Sequence, residues 1–385
     1  MTAHPSSLDL SLYVHLPWCI KKCPYCDFNS HPLNNELPEA DYLNALIADW
    51  KMQLDSISGR KIGTVFFGGG TPSLFSPDSF AKLLNQFQAH LTSNAEITME
   101  ANPGTLEYGD LKSYRDAGIN RLSMGVQSFA DSSLNLLGRI HSQGEARRAI
   151  DAAKSGGFSN INIDLMHGLP EQTVDAALHD LKTAIDAEVT HVSWYQLTIE
   201  PRTEFAKRTP RLPDENTLGD IEVNGLTLLR DAGFERYEIS AYAAPAKQAM
   251  HNRNYWQFGD YLGLGAGAHG KLTHRANDDT FVIQRTAHPR QPRLYQQQAN
   301  TGEWQLESTP VATAELPSEF MMNVLRLIDG VAESSFEHTT GLPLSTLQPQ
   351  LGKWRQMGIM HPQRLSLTPM GINALDTVVA DFLSD

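Results

Sequence analysis

Short apolar runs alternate with stretches of helical spacing from about residue 11 to residue 240. Six runs read as strands: SLYVHL (11–16), GTVFFG (63–68), EITMEA (96–101), NRLSMGV (120–126), NINIDLM (160–166) and HVSWYQL (191–197). Apolar runs of this length, rich in β-branched and aromatic residues, suit buried strands. Between and after them, segments 39–57, 77–91, 105–117, 144–155, 171–187 and 214–232 carry the period of a helix with one apolar face. Strands alternating with helices predict parallel βα units with right-handed crossovers. Six such units give an α/β fold, an open sheet or partial barrel rather than a sandwich.

The polar punctuation is uneven. Gly68-Gly69-Gly70-Thr71-Pro72, Glu100-Ala101-Asn102-Pro103, Gly125-Val126-Gln127-Ser128 and Asp164-Leu165-Met166-His167-Gly168 all fall at the carboxyl ends of predicted strands. Parallel α/β folds bind their ligands at that edge. Three regions are expected: a core over 1–240, an extension over 241–310 rich in Gly, His and aromatics, and a helical unit over 311–385. The last resembles a helix pair, a short hairpin wing and a final helix, a winged-helix-like order that does not by itself imply DNA binding. No repeat of 20–50 residues and no low-complexity tract stands out.

The 385 residues are 41% hydrophobic and 19% charged, which excludes a disordered tail, a collagen and a coiled-coil rod. A net charge of 31 − 44 = −13 argues against coating nucleic acid or anionic lipid. No apolar run approaches the ~18 residues of a spanning helix. The first dozen residues, MTAHPSSLDLSL, lack the pattern of a signal peptide. The expectation is a cytoplasmic protein in a reducing compartment.

All three cysteines lie within eight residues, in Trp18-Cys19-Ile20-Lys21-Lys22-Cys23-Pro24-Tyr25-Cys26. An odd number so clustered is no disulfide framework. Three thiolates can hold three irons of one cubane iron–sulfur cluster and leave the fourth iron open, and an open metal position marks a site that binds substrate or cofactor. The alternative is a zinc knuckle that recruits His15 or His31 as its fourth ligand.

CxxxCxxC directly after the first predicted strand, with GGGTP after the second, resembles the signature of radical S-adenosylmethionine (SAM) enzymes. The resemblance implies a partial (β/α)6 barrel, a [4Fe-4S] cluster on Cys19, Cys23 and Cys26, and SAM chelating the open iron, where reduction cleaves it to a 5′-deoxyadenosyl radical. It also implies a cradle for the SAM amino group at Gly69, Gly70 and Thr71, whose alternative is a tight βα turn needing positive φ. Tyr13, Glu100, Gln127, Arg139 and Asp164 fall where the porphyrin-related branch places residues that contact SAM. For each the alternative is an ordinary cap or ion pair. Tyr25 would pack on the adenine or cover the cluster.

YVHLPWC, FFGGGTPS, RLSMGVQSF, IDLMHGLP and YLGLGAGAH extend the resemblance over nearly the whole chain, to the oxygen-independent coproporphyrinogen III oxidase branch. Two departures, Cys26-Asp27-Phe28 without a fourth cysteine and only about ten residues before Tyr13, point within it to the HemW family of haem chaperones. So does His251-Asn252-Arg253-Asn254-Tyr255-Trp256, which matches the HNxxYW signature associated there with haem. By that resemblance His251 would be an axial ligand flanked by Tyr255 and Trp256; the alternative is a satisfied packing histidine and a loop anchored by its aromatics. His269, inside Gly265-Ala266-Gly267-Ala268-His269-Gly270, is expected to reach the cavity, since the glycines suggest close backbone approach, with no role assigned. Arg202, Lys207, Arg208 and Arg211 would meet haem propionates or form a solvated loop. The resemblance implies a chaperone that binds haem, cluster and SAM and delivers haem to client haem proteins, respiratory ones at the inner membrane face included, and it implies a homodimer. Decarboxylation of coproporphyrinogen III is the second function considered, and another radical SAM modification the third.

Overall fold

The computed structural model describes residues 10–105, 111–276 and 280–383. Six strands, β1 (Leu10–Leu16), β2 (Ile62–Gly69), β3 (Leu91–Ala101), β4 (Arg121–Gln127), β5 (Ile161–His167) and β6 (His191–Gln196), pair in parallel in that order. Five lie within one residue of their predicted limits, and β3 begins earlier, at Leu91 rather than residue 96. Their interiors are buried nearly without interruption, as in β1 and β5, because parallel sheets are covered on both faces.

Helices α1 (Glu39–Gln53), α2 (Pro77–Phe87), α3 (Leu111–Asp116), α4 (Asp131–Leu136), α5 (Gln143–Ser155), α6 (Val174–Asp186) and α7 (Glu215–Asp231) fill the crossovers. Residues 106–110 of the helix predicted over 105–117 lie outside the described residues. α2 starts with proline at its first turn and buries Phe80, Leu83, Leu84 and Phe87, one stripe at helical spacing. Phe80 meets Phe67 of β2 edge-on, ring centroids 4.9 Å apart. α5 opens with a capping box: Ser142 Oγ accepts from the Glu145 amide at 3.3 Å, and Glu145 Oε2 accepts from the Ser142 amide at 2.8 Å. Replacing Ser142 by alanine is expected to cost about 1 kcal/mol, read as a lower urea midpoint at unchanged slope.

The region past residue 240 is more regular than its sequence suggests. β7 (Glu235–Glu238) and β8 (Ala241–Ala243) extend the sheet beyond β6. After α8 (Met250–Trp256), β9 (Asp260–Leu264) pairs in parallel with the free edge of β1. Antiparallel β10 (His269–Arg275), β11 (Phe281–Ala287) and β12 (Glu307–Pro310) follow, with α9 (Pro292–Thr301) between the last two. Among the described residues the result is one open twelve-stranded sheet, ordered β12-β11-β10-β9-β1-β2-β3-β4-β5-β6-β8-β7.

The remaining chain forms α10 (Leu316–Val324), α11 (Ser334–Thr340), α12 (Gln350–Gln356) and α13 (Leu375–Ala380), with a two-strand wing of β13 (Val331–Ala332) and β14 (Arg364–Leu365). Its core of Phe320, Phe336, Leu351 and Val378 includes Phe258 from the turn before β9 and Ile283 from β11, so the unit packs on the extended end of the sheet. Among the described residues no helix is long and apolar enough to cross a membrane.

Candidate functional site

The chain leaving β1 is stitched down before the cysteines begin. Trp18–Cys19 pairs in parallel with His31–Pro32, closing the base of the loop. The Gly70 amide donates to Leu16 O at 2.9 Å and the Thr71 amide to Trp18 O at 2.7 Å, so the loops after β1 and β2 hold each other. A Cβ on Gly70 would lie 2.3 Å from that Trp18 carbonyl oxygen. Gly69 sits at φ +118°, and a Cβ there would meet the His15 ring at 2.5 Å. Both positions therefore need glycine for the turn itself.

Cys19, Cys23 and Cys26 carry free thiols on the wall of one cavity of about 840 Å³. Burial pushes the Cys19 and Cys26 thiols up, so thiolate forms there only against positive charge, which iron supplies. The cysteines thus fit a cluster. The zinc alternative lacks its fourth ligand: His15 Nδ1 is 2.9 Å from the Tyr13 hydroxyl and its Nε2 2.9 Å from Asn29 O. His31 Nε2 lies 3.3 Å from Arg290 O. Among the described residues no three His, Cys, Asp or Glu side chains close on a single-ion position. A cubane asks for wider spacing, one thiolate per iron.

The strand ends bring the other expected residues to the same cavity. Tyr25, Gly69, Gly70 and Thr71 line it, as do Glu100, Gln127, Arg139 and Asp164. Glu100 Oε2 accepts from the Gly69 amide at 3.0 Å. Burial first, then the Asp164 charge, pushes Glu100 up to about 7. Asp164 accepts from Asn162 Nδ2 at 2.7 Å and from Ser123 Oγ at 3.3 Å, and burial raises it as well. Arg139 donates to Gly125 O and, at 3.7 Å, to Cys23 Sγ, while its buried Nε has no partner. That free donor, beside an acid with one oxygen unspent, suits a zwitterionic ligand such as SAM. Tyr25 packs on Phe205 and its phenol is buried beside Arg139 and Cys23. Gln127, at φ +70°, accepts from Tyr195 O–H at 2.7 Å. Tyr195 also lines the cavity and was not singled out in the sequence, although it stands near the end of a predicted strand.

A second cavity of about 880 Å³ adjoins the first, and Phe28, Gly69, Glu100 and Trp256 line both. Tyr13 belongs here, with Tyr255, Tyr261 and Phe258. Lys271, Arg285, Arg290 and His269 give this cavity its basic side.

His251, expected as an axial ligand, stands in the core rather than on the wall of either cavity. Its ring is 1% exposed, stacked on Phe66, with Nδ1 2.7 Å from Thr64 Oγ1 and Nε2 2.9 Å from the Tyr255 hydroxyl. Neither nitrogen is free and the residue lines neither cavity. Burial, with Arg121 assisting, lowers it to about 3, so it stays a neutral hydrogen-bonding group of the core. Tyr255 and Trp256, one turn on, do reach the second cavity. Arg202, Lys207, Arg208 and Arg211 are exposed, as a solvated loop would be.

The comparisons with known proteins agree with this arrangement. Residues 13–184 match the model of the radical SAM superfamily, and residues 311–373 that of the HemN C-terminal domain. The chain is 49% identical over 353 residues to "Heme chaperone HemW" of Haemophilus influenzae, covering 90% of each chain. It is 48% identical over 344 residues to the protein of that name from Escherichia coli, covering 89% of each. A mouse protein, "Radical S-adenosyl methionine domain-containing protein 1, mitochondrial", is 35% identical over 92% of this chain and 79% of its own. Among solved structures, coproporphyrinogen III oxidase (HemN) from Escherichia coli superposes with a TM-score of 0.81 at 23% identity, over 98% of this chain and 90% of that one, a likeness of fold. With relatives of such identity matched along nearly their whole length, the chain belongs to the HemW family within the radical SAM superfamily.

Proposed function

We propose that this chain is a haem carrier: it binds haem in the second cavity, holds a [4Fe-4S] cluster and SAM in the first, and passes haem to a client haem protein. One observation carries the reading, the contrast between two cavities that share a wall. The first offers three free thiols, the acids Glu100 and Asp164 at its strand ends, and the Arg139 guanidinium with an unspent donor. The second is aromatic on one side and cationic on the other, and its volume of about 880 Å³ lies within the range of ligand sites. Haem is a flat macrocycle with two carboxylates. Tyr255 and Trp256 supply faces for the ring, and Lys271, Arg285 and Arg290 supply charge for the carboxylates.

The chain's own residues divide the work. Cys19, Cys23 and Cys26 would hold the cluster, which with SAM supplies one-electron reductive chemistry. Arg139 Nε would take the SAM carboxylate, the free oxygen of Glu100 one ribose hydroxyl, and Asp164 the other through a lone pair left beside its bonds from Asn162 and Ser123. Trp256 stands in both walls with the Arg326 guanidinium 4.4 Å over its ring, so the C-terminal unit touches the partition between the two ligands. Transfer to a membrane-bound respiratory client would proceed by reversible contact at the cytoplasmic face.

The test is an anaerobic titration of reconstituted protein with haem, followed by mixing with an apo-haem protein. A saturable Soret band that moves to the acceptor is the expected result. Absence of saturable binding, or conversion of coproporphyrinogen III to protoporphyrinogen IX at enzymatic rates with SAM and reductant, overturns the proposal.

A further inference from the structure

We infer that His269, at the start of β10, is the side chain of this protein that ligates the haem iron, with Arg285 and Arg290 beside it for the haem carboxylates. The inference rests on the haem-carrier reading and names the ligand within it.

Among the described residues three histidines line the second cavity: His15, His269 and His288. Two are spent. His15 is buried, with Nδ1 against the Tyr13 hydroxyl and Nε2 against Asn29 O. His288 is buried with Nε2 3.1 Å from Asp49 Oδ2 and 3.2 Å from Gln53 Nε2. Its Nδ1 has no partner, but Tyr295 and Trp304 close on the ring edge-on, with centroids 5.4 and 6.2 Å away. His269 alone of the three is exposed, and among the described residues no hydrogen bond engages its ring.

The strand register places charge where a ligated haem would need it. Lys271 lies opposite Arg285 across β10 and β11 and opposite Tyr261 on β9, forming one row over three strands. His269 stands two residues along β10 from that row, on the same face, since strand side chains repeat every second residue. Its own cross-strand neighbour is Ala287, and the Gly263 α-carbon backs onto the His269 backbone. Small residues on both sides leave the imidazole room to meet a flat ring. Two like charges directly opposite each other oppose folding. Lys271 and Arg285 each keep one acid, Asp260 and Glu319, and both side chains line the cavity that His269 faces. Burial, Arg285 and Arg290 hold the imidazole below its usual range against the opposing pull of Glu307, which keeps it in the neutral form that binds iron.

Ferric haem titrated into wild type, His269→Ala and His269→Cys, read by Soret absorbance and electron paramagnetic resonance, decides the matter. Wild type is expected to show an imidazole-ligated spectrum. His269→Ala should lose that signature and about tenfold or more in affinity, and added imidazole should restore the spectrum. His269→Cys should convert it to a thiolate signature, a gain of signal that mere destabilisation cannot produce and that decides the case if the alanine variant fails to fold. Haem bound by wild type with the same spectrum in both variants overturns the ligand and leaves the carrier reading standing. No haem bound by wild type overturns both.

Discussion

Replacing Asp260 by alanine is expected to lower the stability of the protein by about 3–5 kcal/mol, the cost of leaving a buried ion pair half-made. Asp260 opens β9, and its side chain is fully buried. One oxygen takes Arg60 Nη1 and the Thr273 amide, both at 2.7 Å; the other takes Lys271 Nζ at 3.0 Å and Thr273 Oγ1 at 2.8 Å. Both cationic side chains are only 3% exposed, so removing the carboxylate strands two charges rather than one. Lys271 can relieve its share by releasing a proton, because burial already lowers it; Arg60 cannot. The double variant Asp260→Ala, Lys271→Met should therefore recover part of the loss. Burial raises the Asp260 acid, but Lys271 and Arg60 outweigh it and hold the native group below its ordinary 3.8. A lowered carboxyl stabilises above that ordinary value, and the contribution is lost as pH falls through the native value. Urea melts at pH 7 and pH 3 should show the variant's deficit shrinking in acid. A deficit under 1 kcal/mol at pH 7 would contradict the assignment.

Much of this architecture is readable in the chain because its signals are local. The six parallel strands declare themselves by uninterrupted apolar runs, and the cysteine spacing by sequence adjacency. The loops after β2, β3, β4 and β5 were placed at one edge by the alternation alone, and that is where Gly69, Glu100, Gln127 and Asp164 converge on one cavity. What stays hidden depends on partners far along the chain. DYLGLG looks like a glycine-rich loop, yet it is a strand because it completes the open edge of β1, some 250 residues earlier. His251 sits in a string that reads as a haem motif, but its ring is claimed by Thr64, 187 residues away. Nothing local to His251 reports that hydrogen bond. His269 is the converse: its glycine-rich string suggests a place by the cavity but no role, and its openness follows from the small neighbours that β9 and β11 set beside it.

Substituting Glu100 by glutamine is expected to stabilise the ligand-free protein at pH 8 by up to ~3 kcal/mol and to weaken SAM binding. The native carboxyl titrates at about 7 against an ordinary 4.5. A raised carboxyl stabilises the fold fully only below its ordinary value, because there both states hold the proton. Between pH 4.5 and 7 the unfolded chain ionises while the native one resists, and stability falls; above 7 the penalty is constant. A difference of 7 − 4.5 = 2.5 units corresponds to ~3 kcal/mol. Glutamine cannot ionise, yet its carbonyl oxygen still accepts from the Gly69 amide, so it escapes the penalty and the repulsion from Asp164. The two proteins should melt together below pH 4.5, diverge up to about pH 7 and keep a constant gap from there to pH 8. The acid is then retained at a cost in stability for what it does when the cavity fills. A sulfonium-bearing ligand would draw Glu100 back toward its ionised form, so SAM binding to wild type near pH 7 should release a proton. Calorimetry in buffers of different ionisation enthalpy reads that proton directly, and the glutamine variant should not release it. A variant that melts lower than wild type at pH 8 would mean that Glu100 is ionised and paired in the empty site, and the strained acid at the mouth of the SAM cavity would have to be given up.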